Sequence, residues 1–141
     1  MKSYERTYIR TLLNIATNLN HGMHWKHAAM LTDGRKIVSI GVNKAKSDPL
    51  QKKYSKRHTP GHPYSEYLWI HAEVDCLKNV RMDFKRSTLY VIRADSKGNL
   101  LESCPCVGCQ SLINELRIPR ILHSTADGKI VEINRTIHSR F

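Results

Sequence analysis

Two short segments of this chain carry side chains that could do chemistry: His71-Ala72-Glu73 and Pro105-Cys106-Val107-Gly108-Cys109. Cys106 and Cys109 are three positions apart, so on a helix they share a face and can grip one ion. Thiolates at a helix start also gain from the helix dipole. His71 supplies a third donor. Three protein ligands leave one tetrahedral position open, as in a catalytic zinc site rather than a closed structural one. Glu73, two residues beyond His71, need not touch the metal and could reach a water there. Each piece alone is unspecific. His-x-Glu is common, and Cys-x-x-Cys could be a redox pair or half of a zinc knuckle. A structural site would need a fourth ligand, and Cys76, Cys104 or another histidine could provide it. Together, 35 residues apart and separated by a strand pattern, the two segments become specific.

The elements that must position these residues can be read from the hydrophobic pattern. Residues 4–20 place Tyr8, Ile9, Leu12, Leu13, Ile15, Ala16 and Leu19 at helical spacing, with Gly22 as candidate C-cap. Ala28-Ala29-Met30-Leu31 and Ile37-Val38-Ser39-Ile40-Gly41-Val42 flank Asp33-Gly34, a hairpin signal. Residues 43–66, rich in Pro, Gly and Lys, read as a long basic loop. A helix over about 71–81 follows, then a buried strand over Thr88–Ile92 and a turn over Asp95–Asn99. Residues 106–116 read as a helix ended by Pro119, Arg120–His123 as a short strand, and Ile130–Ile133 as a further strand after Asp127-Gly128. The stretch 134–141 is a basic tail. This alternation predicts a three-layer α/β domain in which strands joined through helices run parallel.

The chain has 141 residues, which points to one domain over 1–141 with enough length for a full core. Four cysteines are too few for a disulfide scaffold, and no apolar run reaches the roughly 18 residues of a membrane span. The start shows no secretory pattern, so a reducing cytoplasmic setting is expected, where cysteine clusters read as metal-binding or catalytic. Lys and Arg total 23 against 12 Asp and Glu, a net charge of +11. That excess should attract phosphates.

His-x-Glu followed by Pro-Cys-x-x-Cys is the pattern of zinc deaminases. Over about residues 4–125 the chain resembles the cytidine and deoxycytidylate deaminase superfamily. Lys26–Leu31 followed by Ile40-Gly41-Val42-Asn43 looks like the family's first hairpin and its Gly-x-Asn. The resemblance implies an α/β/α fold with a mixed five-stranded sheet. It implies Zn2+ held by His71, Cys106 and Cys109, with Glu73 as the catalytic proton shuttle. It places Asn43 against the substrate sugar, the Ala72 backbone at the base, and Ser103 and Cys104 along the base pocket. His27, at a strand start, is expected to approach the substrate. Cys76 reads as a buried small residue and Trp25 and Trp69 as packing residues. Tyr54, Tyr64 and Tyr67 could stack on bases. His21, His24 and His27, three apart across a helix end, carry little weight as a metal set, and His58 and His62 in the basic loop read equally as solvent-exposed or functional.

Three functions compete. A nucleotide deaminase would turn dCMP into dUMP and ammonia, with the basic loop holding the phosphate; the compact chain and the resemblance favour it. A deaminase of single-stranded DNA or RNA, acting on cytosine or adenine, is favoured by the charge excess. A zinc-stabilised nucleic-acid-binding module without catalysis is disfavoured by Glu73, which metal binding alone does not need. The expected partners are a nucleotide or single-stranded nucleic acid and, since relatives commonly assemble, further copies of the chain, with no membrane.

Overall fold

The computed structural model of the chain describes residues 1–19, 22, 23, 25–58 and 69–134. Helix α1 (Ser3–Thr17) opens with the Lys2 N–H donating to Glu5 Oε1 at 3.1 Å, half of a capping box. It buries Tyr8, Ile9, Leu12 and Ala16, one stripe of the predicted helix. It stops earlier than its apolar pattern. Asn18 is the C-cap, donating from Nδ2 to the Asn14 carbonyl at 2.8 Å, and Gly22 lies beyond it.

Strands β1 (Lys26–Asp33) and β2 (Lys36–Val42) form the predicted hairpin. Gly34 takes a φ of +59° in its turn, a conformation favouring glycine. β1 also pairs antiparallel with β5 (Ser87–Ala94). β5 runs parallel to β7 (Arg120–Ser124), and β8 (Ile130–Asn134) closes the edge antiparallel to β7. The five-strand path is β2-β1-β5-β7-β8, with short β6 (Leu100–Leu101) added at the end of β5. The mixed sheet is therefore the expected one plus a two-residue strand.

Strand alternation builds two cores. Ala28, Met30, Tyr90 and Ile92 face α1, while Ala29, Leu31, Leu89 and Val91 face the helices of the opposite layer. Under α1, buried Glu5 pairs with Arg120 of β7, Nη2 to Oε1 at 3.0 Å, and accepts from Tyr90 Oη at 2.6 Å. These bonds tie the first helix to the last third of the chain.

The stretch expected to be a loop over 43–66 is different. It begins with β3 (Lys44–Ser47), which pairs with β4 (Trp69–Ile70), and continues as α2 (Pro49–His58). Asp48 Oδ1 caps α2 by accepting from the Leu50 N–H at 2.9 Å, and Pro49 occupies the first turn. Residues 59–68, with His62, Tyr64 and Tyr67, lie outside the described residues, as do His21, His24 and the tail after Asn134. The helix expected over 71–81 is α3 (Ala72–Leu77). The chain turns after it so that Val80, Met82 and Phe84 can close over the core before β5. Helix α4 (Val107–Glu115) joins β5 to the parallel β7.

Candidate active site

The N-termini of α3 and α4 meet at one end of the sheet. His71 is the N-cap of α3 and Cys106 the N-cap of α4. Gly41 lets α3 approach. A Cβ there would lie 2.3 Å from Cys76 N and 2.6 Å from the Ala72 carbonyl oxygen. Ser39 Oγ donates to the Cys76 carbonyl at 2.8 Å, and Asp75 Oδ2 accepts from the Val42 N–H at 3.0 Å, so three successive contacts seat α3 on β2. Helix α2 fixes the other side. Gln51, fully buried, accepts from the His71 N–H through Oε1 at 2.9 Å and donates through Nε2 to Ser55 Oγ at 3.0 Å. Tyr54 Oη donates to Glu115 at the end of α4. Helix α2 therefore straps α3 to α4. Tyr54 is a core residue, and its predicted role in base stacking is not met because the ring is buried.

His71 Nδ1 lies 3.3 Å from Cys109 Sγ and 3.6 Å from Cys106 Sγ. All three donor atoms fall within 4.8 Å of one another. Nitrogen and sulfur donors bound tetrahedrally to zinc at 2.0–2.3 Å sit about 3.5–3.8 Å apart, so these side chains fit the ion with small adjustments. The electrostatics agree. The hydrogen bond with Cys109 is the largest influence on Cys106 and, against burial and with the help of His71, brings its thiol down to about 4. The same bond, then burial, pushes Cys109 well up. The two thiols are thus pulled in opposite directions, and a dication between them would favour both as thiolates. Burial pulls His71 down, but the Cys106 hydrogen bond and the charges of Glu73 and Cys106 outweigh it and raise its pKa.

Glu73 is almost fully buried beside this cluster, and its Oε1 finds no hydrogen-bond partner among the described residues. Buried polar atoms are seldom left this way, so Oε1 marks the place of a ligand or water. Burial is the largest influence on its carboxyl and raises its pKa, against the opposing charge of His71.

A cavity of about 510 Å³ opens over these residues. It is lined by His71, Glu73 and Cys106 together with His27, Asn43, Ser103 and Cys104. Ala72 does not line it. It is packed in the core with its carbonyl against Gly41, because α3 sits so close to β2. Asn43 is committed to the chain entering β1, accepting from the His27 N–H at 2.9 Å and donating to the Trp25 carbonyl at 2.7 Å. Ser103 is likewise bonded inward, to the Val91 carbonyl and Ser124 Oγ, both at 2.8 Å. Trp25 and Trp69 line the cavity as well, and Trp25 stays 40% exposed, so the expectation that both merely pack is corrected. Cys76 is buried as expected, its thiol donating to the Ser39 carbonyl and pushed up by burial to about 12. Sequence reasoning missed Gln51 and Ser55, although Asp48-Pro49 is a helix-start signal that could have revealed α2.

The family model for the cytidine and deoxycytidylate deaminase zinc-binding region matches residues 2–125. The chain belongs to this family. It is a zinc deaminase of the cytidine deaminase type, and the His/Cys/Cys cluster has the donors that zinc prefers. Two solved structures share the fold. One is a dCMP deaminase from the cyanophage S-TIM5, 16% identical, with a TM-score of 0.58 over 89% of this chain and 86% of that one. The other is a cytidine deaminase from Burkholderia pseudomallei, 15% identical, with a TM-score of 0.60 over 95% and 93%. No curated protein matches the chain. No helix among the described residues is long and apolar enough to cross a membrane.

Proposed function

We propose that this deaminase converts dCMP and water to dUMP and ammonia, with Glu73 as its proton carrier and His71, Cys106 and Cys109 as its zinc ligands. The observation that carries the reading is the buried, unpartnered Glu73 Oε1 beside the donor cluster at a cavity of nucleotide size. His71, Cys106 and Cys109 would hold zinc, which when bound would supply Lewis acidity and lower the pKa of a water towards about 7. Glu73 would accept a proton from the water that adds to C4 of the cytosine ring and hand it to ring N3. It then helps protonate the departing amine, so the C4–N bond breaks and ammonia leaves. A carboxyl with a raised pKa can both take and give a proton near neutrality, which a shuttle requires. Trp25 and Trp69 offer aromatic faces to a planar base. Asn43 acts here by holding the Trp25–His27 segment in place.

The net charge of +11 supports a phosphorylated substrate over a nucleoside. The likeness to a dCMP deaminase supports the monomeric nucleotide. A second reading, single-stranded nucleic acid, draws on exposed Lys52 and Lys53 of α2, the helix whose Ser55 borders the cavity. A competition assay separates them. Zinc-loaded protein receives dCMP and a cytosine-containing single-stranded oligonucleotide together, with Glu73→Ala as blank, and products are read by mass. Conversion of dCMP alone supports the proposal. Conversion of the oligonucleotide alone overturns it in favour of the second reading.

A further inference from the structure

A second cluster of donors adjoins the same cavity through Cys104, two residues before the first thiolate. Glu102, Cys104 and His123 place a carboxylate oxygen, a sulfur and a ring nitrogen within 4.8 Å of one another. Two parts of the chain bring them there, strand β7 and the segment between β6 and α4. His123 comes from β7, the interior strand that runs parallel to β5, and is buried. Glu102 follows β6, and Cys104 precedes the turn into α4. The carboxylate is already oriented, since its Oε2 accepts from the Cys104 N–H at 2.9 Å and lies 3.4 Å from His123 Nδ1. Nitrogen and oxygen donors bound tetrahedrally to one ion at about 2.0–2.1 Å sit roughly 3.3–3.4 Å apart. His123 Nδ1 also bonds the Ser124 carbonyl at 2.9 Å, so an ion bound through this nitrogen takes the place of that hydrogen bond. Ser103, between Glu102 and Cys104, is pinned to Val91 and Ser124, which ties the segment to β5 and β7.

We propose that Glu102, Cys104 and His123 form a second, exchangeable site for a zinc-class divalent cation. The mixed sulfur, nitrogen and oxygen donor set suits zinc, cadmium or cobalt better than magnesium or calcium. Each cluster has one buried donor, Cys109 or His123, but the second has two exposed donors, Glu102 and Cys104, where the first has only Cys106. Ion exchange with solvent is therefore easier at the second site, and its affinity is lower. An ion there bridges the 102–104 segment to β7 and stiffens one wall of the cavity.

The test is a zinc titration of the full chain. Protein stripped with a chelator is dialysed against buffered free zinc, and bound metal is counted by mass spectrometry. Two plateaus are expected, one ion per chain at low free zinc and two at higher. Cys104→Ser and His123→Ala should each lose the weaker ion and keep the tighter. Cys106→Ser should lose the tighter and keep the weaker, which separates the two sites without any measurement of activity. A single plateau in the unaltered chain overturns the proposal. So does a second ion that survives Cys104→Ser. Because Cys104 is exposed, that variant stays informative even if removal of the buried His123 prevents folding.

Discussion

Gly41→Ala is the substitution whose effect can be worked most directly from the packing. The added methyl would stand 2.3 Å from Cys76 N, 2.6 Å from the Ala72 carbonyl oxygen and 2.7 Å from Cys76 Cα. Comfortable heavy-atom contacts lie at about 3.5–4.0 Å. All three obstacles are helix backbone, so no side chain can swing aside, and α3 must retreat from β2 by roughly 1 Å. Overpacking of this kind costs about 1–3 kcal/mol, or roughly 4–12 °C in melting temperature for a chain of this size. The helix carries Glu73 with it, and His71 is its N-cap. A misplacement of roughly 1 Å at a reacting group costs on the order of 100-fold in rate. The assay pairs thermal denaturation with steady-state deamination of the proposed substrate, dCMP. The expected result is a lowered melting temperature together with a fall in kcat larger than any change in KM. Unchanged melting and unchanged turnover would refute the view that Gly41 seats the helix bearing Glu73.

Three further expectations follow from the same geometry. Glu73→Gln should keep its zinc and its fold while kcat falls by about 100-fold to 10,000-fold, because the proton carrier alone is lost; full activity would remove Glu73 from the mechanism. Gln51→Leu leaves the His71 N–H buried without its acceptor, so zinc affinity measured by chelator competition should drop roughly 10-fold. For Glu5, burial alone would raise the pKa, but bonds from Arg120, Tyr90 and the Lys2 N–H outweigh it and hold the carboxyl at about 2, against an ordinary 4.5. A lowered folded-state pKa means that the stabilisation is complete above pH 4.5 and disappears as pH falls towards 2. The stability difference between the unaltered chain and Glu5→Gln, read by urea denaturation, should shrink by about 3 kcal/mol across that window. A difference that stays constant with pH would contradict the assignment.

Much of this was legible in the residues. The hairpin at Asp33-Gly34, the parallel crossover through α4 and the meeting of His71 with Cys106 and Cys109 follow from local pattern and ligand spacing. Residues 43–58 were not, because α2 exposes lysines and buries polar Gln51 and Ser55, which leaves little apolar periodicity. Its start signal, Asp48-Pro49, was masked by the prolines and glycine that follow. The roles of Ala72 and Asn43 were legible as positions and not as contacts. Where their polar atoms go depends on how closely α3 meets β2 and how the chain enters β1.

The bond between Glu5 and Arg120 also bears on how the chain is made. The two residues are 115 positions apart. At a synthesis rate of about 5–20 residues per second, α1 is made roughly 6–23 s before its partner strand. During that interval Tyr8, Ile9 and Leu12 have only the β1–β2 hairpin, and then β5, to pack against. The nascent chain thus carries an apolar helix whose buried carboxylate has no counter-charge until β7 emerges. Docking of α1 can thus begin on β1 and β5 during synthesis, and only the neutralisation of its carboxylate waits for Arg120.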